Sequence, residues 1–177
     1  MSSVSRTSGY AKFVRSMRIL LSTLCVVAGT TGPLSAVPAP NPLSFFQGTT
    51  ESVGTLKVMM RNAQTTKSIS RGEIEPDGSL SLLQRVEDQG QPAHVRRWLI
   101  RQLTPGHFSG SMSDASGPVT IDQVGERFHF RFKLKTGLSI DQWFTPLEGG
   151  RSAATDMIVR KFGFAVASSH GLVRKLD

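Results

Sequence analysis

The sequence predicts an all-β fold, a single antiparallel up-and-down barrel of about 8–10 strands over residues 51–177. Three observations carry this expectation. Short strand-like runs recur between Glu51 and Lys175, separated by turn residues, with no helical period between them. The clearest run, Phe128-His129-Phe130-Arg131-Phe132-Lys133-Leu134-Lys135, alternates apolar side chains with basic or imidazole ones, giving a strand one dry and one wet face. The intervening loops are short, and tight loops join antiparallel neighbours, whereas parallel strands need long crossovers. Closing such a meander removes its two exposed edges. A two-sheet sandwich is the competing architecture, but it needs a longer Greek-key connection that the sequence does not show.

The elements follow in order. Gly54 to Met60 opens the domain, with Leu56, Val58 and Met60 on one face. Runs at 64–75 and 79–88 meet across Pro76-Asp77-Gly78, a strong turn signal. Gly90-Gln91-Pro92 leads into 93–103, and Thr104-Pro105-Gly106 into 107–114. Ala115-Ser116-Gly117-Pro118 precedes 119–124, and Gly125 precedes the alternating strand 126–135. Thr136-Gly137 hands over to 138–147, Gly149-Gly150 closes that hairpin, and runs at 153–162 and 164–175 finish the chain.

Residues 1–36 are a different material. Arg6, Lys12, Arg15 and Arg18 are the only charges there, an apolar run from Ile19 to Ala28 follows, and Ala36 supplies a small residue at the end. This is the pattern of a secretory signal peptide, and the apolar run is too short to span a bilayer of roughly 30 Å. A start at Met17 would also give a well-proportioned leader. Cys25 is a poor lipid acceptor because Leu24 precedes it where a small residue is wanted. The expectation is therefore cleavage after Ala36 and a periplasmic protein, with an N-terminal extended segment at 37–50 around Pro40 and Pro42. Without the leader's four basic residues the formal charge falls from +8 to +4, and the single cysteine is lost. That excludes disulfide, thiol and cysteine-metal chemistry in the mature chain. The modest surplus fits solubility or contact with anionic lipid headgroups.

Motifs for specific chemistry are scarce. His94, His107, His129 and His170 are scattered without metal-ligand spacing, no Gly-x-Ser-x-Gly elbow occurs, and no glycine loop for phosphates precedes a helix. No cofactor or metal is expected. Glu73 and Glu75 share a strand face, but beside the Pro-Asp-Gly turn they read as a solvated hairpin end. The stripe His129, Arg131, Lys133, Lys135 reads as a wet outer face. Nucleic acid is not expected there, because Phe128, Phe130 and Phe132 point the opposite way. Trp98 and Trp143 stand out beside Arg97 and Asp141. Each ring either plugs the core or lines a pocket. Arg97 alternates with Val95 and Leu99, which predicts an inward charge paired with Glu87 or Asp141. Arg97, Trp98, Asp141 and Trp143 are thus the candidate ligand-binding residues.

Phe45-Phe46-x-Gly48, Gly54, Arg97-Trp98, Asp141-x-Trp143, Met157 and Lys161-Phe162-Gly163 occur in an order that resembles the bacterial family domain of unknown function 3833. The resemblance spans residues 43–175 and implies a small exported protein with a lipocalin- or calycin-like barrel. It carries over no active site, and the lack of a good lipidation cysteine departs from the family's lipoproteins. The function expected is a non-catalytic periplasmic or envelope barrel that binds a lipid or another apolar small molecule. The alternatives are a barrel enzyme of the cyclase or isomerase kind on a hydrophobic substrate, or a structural envelope protein. An acid or base facing an apolar cavity would favour the enzyme.

Overall fold

The computed structural model describes residues 41–177. The leader assigned to 1–36, with Met17, Leu24, Cys25 and the Ala36 cleavage site, lies outside the described residues, as do residues 37–40. The described chain is a short helix, α1 (Pro42–Phe46), followed by ten strands. These are β1 (Gly48–Val58), β2 (Gln64–Ile74), β3 (Leu80–Asp88), β4 (His94–Thr104), β5 (His107–Met112), β6 (Val119–Val124), β7 (Arg127–Lys133), β8 (Ser139–Pro146), β9 (Ser152–Lys161) and β10 (Phe164–Lys175). Each pairs antiparallel with its neighbour in sequence, and β1 pairs with β10 to close the barrel. The all-β barrel expected from the alternation is present, with β2 to β10 each within a few residues of its predicted span.

The turn chemistry explains the boundaries. At Pro76-Asp77-Gly78 the Asp77 carboxylate accepts hydrogen bonds from the Ser79 backbone N–H at 2.9 Å and from its hydroxyl at 2.6 Å. Those bonds hold the Asp77 carboxyl below its ordinary pKa. Gly78 follows at φ +80°, where a side chain would be strained.

Two expectations at the N-terminal side are corrected. The segment 37–50 is not extended throughout: Asn41 caps α1, its side-chain oxygen accepting from the Leu43 N–H at 2.9 Å, with Pro42 at the first helical position. β1 begins at Gly48, earlier than expected, and stops at Val58, so Met60 lies in the following turn and not on the strand face.

α1 plugs one end of the barrel. Phe45 meets Phe144 edge to face with ring centroids 4.8 Å apart, and Phe46 lies 5.3 Å from the same ring. Behind them Leu80, Val119, Ile121, Phe128 and Phe144 are buried almost completely. Phe128, Phe130, Phe132 and Leu134 all face inward, as their alternation requires. A Cβ at Gly72 would collide with the Phe46 carbonyl oxygen, so the plug seats only because β2 has a glycine there. The Lys175 ammonium also donates to the Ser44 carbonyl at 3.2 Å, tying the chain's end to the helix. The opposite end, which carries the β1–β2, β3–β4, β5–β6, β7–β8 and β9–β10 turns, has no such plug among the described residues.

Candidate functional site

The unplugged half of the barrel encloses a cavity of about 380 Å³. Leu56 and Val58 from β1, Val86 from β3, Trp98 from β4, Phe132 from β7, and Met157 and Val159 from β9 supply most of its apolar wall. On several strands the lining residue nearest the plug is polar and uncharged: Ser52, Ser68, Gln84, Gln142 and Thr155. Space is left at the closing seam because Gly54 of β1 lies opposite Gly171 of β10. Neither can carry a Cβ without movement, since one at Gly54 would lie 2.8 Å from the His170 carbonyl oxygen.

Trp98 is fixed in this wall. Its indole N–H donates to the Gln84 side-chain oxygen at 3.1 Å, the Gln84 amide donates to the Ser68 hydroxyl at 3.2 Å, and the ring packs edge to face on Phe132 at 5.6 Å. A tryptophan held on both its polar and apolar edges presents a rigid surface to a guest.

Charge enters the cavity on the mouth side. Arg96, one residue before Arg97 and with Trp98 on the inward face, bonds the Asp114 carboxylate through Nε at 2.8 Å. The Ser113 hydroxyl donates to the other carboxylate oxygen at 2.9 Å. Partial burial pushes the Asp114 pKa up. The bonds from Arg96 and Ser113 and the nearby charges of Arg96 and His94 outweigh it and hold the carboxyl below its ordinary value. Asp88 also lines the cavity and accepts from the Thr66 hydroxyl at 2.5 Å. These groups can orient a polar end of a guest by hydrogen bonds, while the wall beyond them offers only contact.

Of the residues singled out from the sequence, Trp98 lines the cavity and Arg97, Asp141 and Trp143 do not. Arg97 is exposed on the outer face, so its expected inward position is corrected. Successive strand side chains point to opposite faces, and Arg97 and Trp98 cannot both point in. Its expected partners are engaged elsewhere: Glu87 bonds Arg85 at 3.0 Å, and Asp141 holds His129 at 3.2 Å together with Arg160. Trp143 lies outside as well, stacked parallel on His129 at 4.3 Å, with the Arg127 guanidinium 4.3 Å from its ring centroid. The outward stripe is thus partly neutralised, Arg131 and His107 both pairing with Asp122. The hydrogen bond from His107 has the largest effect on Asp122; burial opposes it, and with the bond and charge of Arg131 added the carboxyl lies below its usual range. Arg96 with its partner Asp114, and Ser68, Gln84, Asp88 and Gln142, are site residues missed. Gln142 had a signal, since Ile140 and Phe144 flank it at period two and both are buried. Among the described residues no group of three or more His, Cys, Asp or Glu side chains is placed to hold a metal ion.

No family model matches the chain, and no curated protein sequence does. Its barrel is similar to that of an S-type phycobiliprotein lyase from Guillardia theta, with a TM-score of 0.61 over 76% of this chain and 90% of that one, at 8% identity. It is also similar to a protein of unknown function from the DUF3598 family of Nostoc punctiforme, with a TM-score of 0.56 at 11% identity over 80% of this chain. The match spans about half of that protein, 53% of its length. At these identities the likeness is one of fold, a lipocalin-like barrel, and carries no function with it.

Proposed function

We propose that the protein is a periplasmic binding barrel for a lipid or another elongated apolar small molecule, held in the half-hollow interior with its polar end near Arg96 and Asp88 at the mouth or near Gln142 inside. The observation that carries this is the cavity itself. Its volume of about 380 Å³ lies within the range of small-molecule pockets, roughly 300–1,000 Å³, and its wall joins apolar side chains to a few fixed polar groups. The fold likeness to a phycobiliprotein lyase supports a guest inside the barrel and says nothing of the guest's identity. The basic leader and Ala36 support export. N-terminal sequencing of the protein recovered from the periplasm is expected to begin at Val37, and a chain starting at a lipid-modified Cys25 would overturn that part.

Trp98 is the natural reporter. With Trp143→Phe it becomes the chain's only indole, and titration with fatty acids and phospholipids is expected to change its emission. Trp98→Ala is expected to weaken calorimetric affinity about tenfold, since truncation removes a large fixed contact surface. Unchanged emission together with no measurable heat for any chain length would remove the binding reading.

A further inference from the structure

The open end of the barrel presents large apolar side chains that the fold does not bury. Met59 and Met60 follow β1 and are 61% and 98% exposed, while Phe162 and Phe164 flank the β9–β10 turn at 89% and 76%. The Met59 N–H donates to the Val166 carbonyl at 2.9 Å, which joins the two turns into one lip. Met60 and Phe162 have φ of +61° and +52°, in the left-handed region where glycine or asparagine is the less costly choice. Turn geometry therefore does not account for Met and Phe at these tips.

The charge around the lip is of one sign. Lys57, Arg61 and Lys161 flank it, and no carboxylate occurs in 57–61 or 161–164. The Lys161 ammonium lies 5.7 Å from the Phe162 ring. The turns at the plugged end are acidic on balance, with Glu75, Asp77, Glu126 and Glu148 against Arg151. An apolar tip flanked by lysine and arginine cations is the chemistry that inserts at a lipid–water interface and is drawn to anionic headgroups. The acidic far end turns the barrel so that its mouth faces such a surface. A second copy of this chain is a poorer occupant, because two lips would bring like charges together.

We infer that the lip formed by Met59, Met60, Phe162 and Phe164 docks the mouth of the barrel on an anionic lipid bilayer. The inference goes beyond the binding reading and does not depend on it. It also shortens the path of any lipid guest between bilayer and cavity.

The test uses the full chain with one added indole. Phe162→Trp places it on the lip, and Leu103→Trp places it on an exposed position near the plugged end. Both are mixed with vesicles of phosphatidylglycerol carrying brominated acyl chains and read against the parent protein. The added emission of Phe162→Trp is expected to shift to the blue and fall by at least half, that of Leu103→Trp to stay unchanged. Combined Lys57→Gln, Arg61→Gln and Lys161→Gln is expected to lower the lip's vesicle partition about a hundredfold. Equal quenching at the two ends, no quenching at position 162, or quenching by phosphatidylcholine that the three substitutions leave unchanged would overturn the inference. A blue shift that grows with protein concentration without vesicles would assign the lip to a second copy instead. Binding of fatty acids in solution alongside failure of this test would leave the cavity reading standing.

Discussion

Arg96 and Asp114 set the electrostatics of the mouth. Their side chains are 27% and 37% exposed, so solvent screens the pair without cancelling it. A charge-assisted bond in that setting contributes about 1 kcal/mol. Because the folded pKa of Asp114 lies below its ordinary value of 3.8, its contribution is complete above that pH and is lost as pH falls through the folded value. Asp114→Asn is therefore expected to be about 1 kcal/mol less stable in urea at neutral pH, with the gap closing in the acid range below 3.8. A gap independent of pH would show that the carboxylate's charge is not what matters there. At this scale legibility depended on strand parity. Phe128, Phe130, Phe132 and Leu134 were readable because their neighbours are all polar. In His94-Val95-Arg96-Arg97-Trp98-Leu99-Ile100 both parities contain apolar residues, and packing selected the one with Trp98 and Ile100 inward. Asp141 and Trp143 share a parity, and the buried Ile140 and Phe144 put it outside.

The plug helix and strand β2 form a unit through one missing atom. Gly72 has no Cβ, and the Phe46 carbonyl occupies the space a Cβ would need. Gly72→Ala must displace α1 or bend β2, at a cost of about 1–3 kcal/mol for overpacking. The expected outcome is a lower urea midpoint together with new protease cleavage within 41–47, as Leu43 and Phe45 leave their sites. A wild-type midpoint and cleavage pattern would mean that the seat has slack the contact does not show. The strands were legible because every turn between them except Met59–Ala63 carries a glycine or proline that fits positive φ or ends a ladder. The helix was not. Pro42 serves an extended segment and the first turn of a helix equally well, and the deciding contacts, Phe45 and Phe46 on Phe144, bridge residues about a hundred positions apart.

Over the whole barrel, closure was readable from the short loops, but whether the interior is filled was not. Leu56, Val58, Val86, Met157 and Val159 have the same period-two signature as the packed residues at the other end. Whether such side chains meet across the axis depends on strand tilt and stagger, which no linear pattern encodes. Two halves with different packing predict different local stability. Amides near Leu80, Ile121, Phe128 and Phe144, where side chains are buried almost completely, are expected to exchange hydrogen only through global unfolding. Those of Leu56–Val58 and Val86–Asp88, which face the cavity, are expected to exchange faster through local opening. A fatty acid that fills the cavity adds about 2.7 kcal/mol of stability at a hundred times its dissociation constant. Protection should therefore rise most in the cavity-facing strands, where local opening had set the rate. At the plugged end it should rise only with global stability. Hydrogen-exchange mass spectrometry with and without the fatty acid distinguishes these patterns. Equal exchange in both halves of the free protein would mean that the interior collapses in solution and leaves no room for a guest.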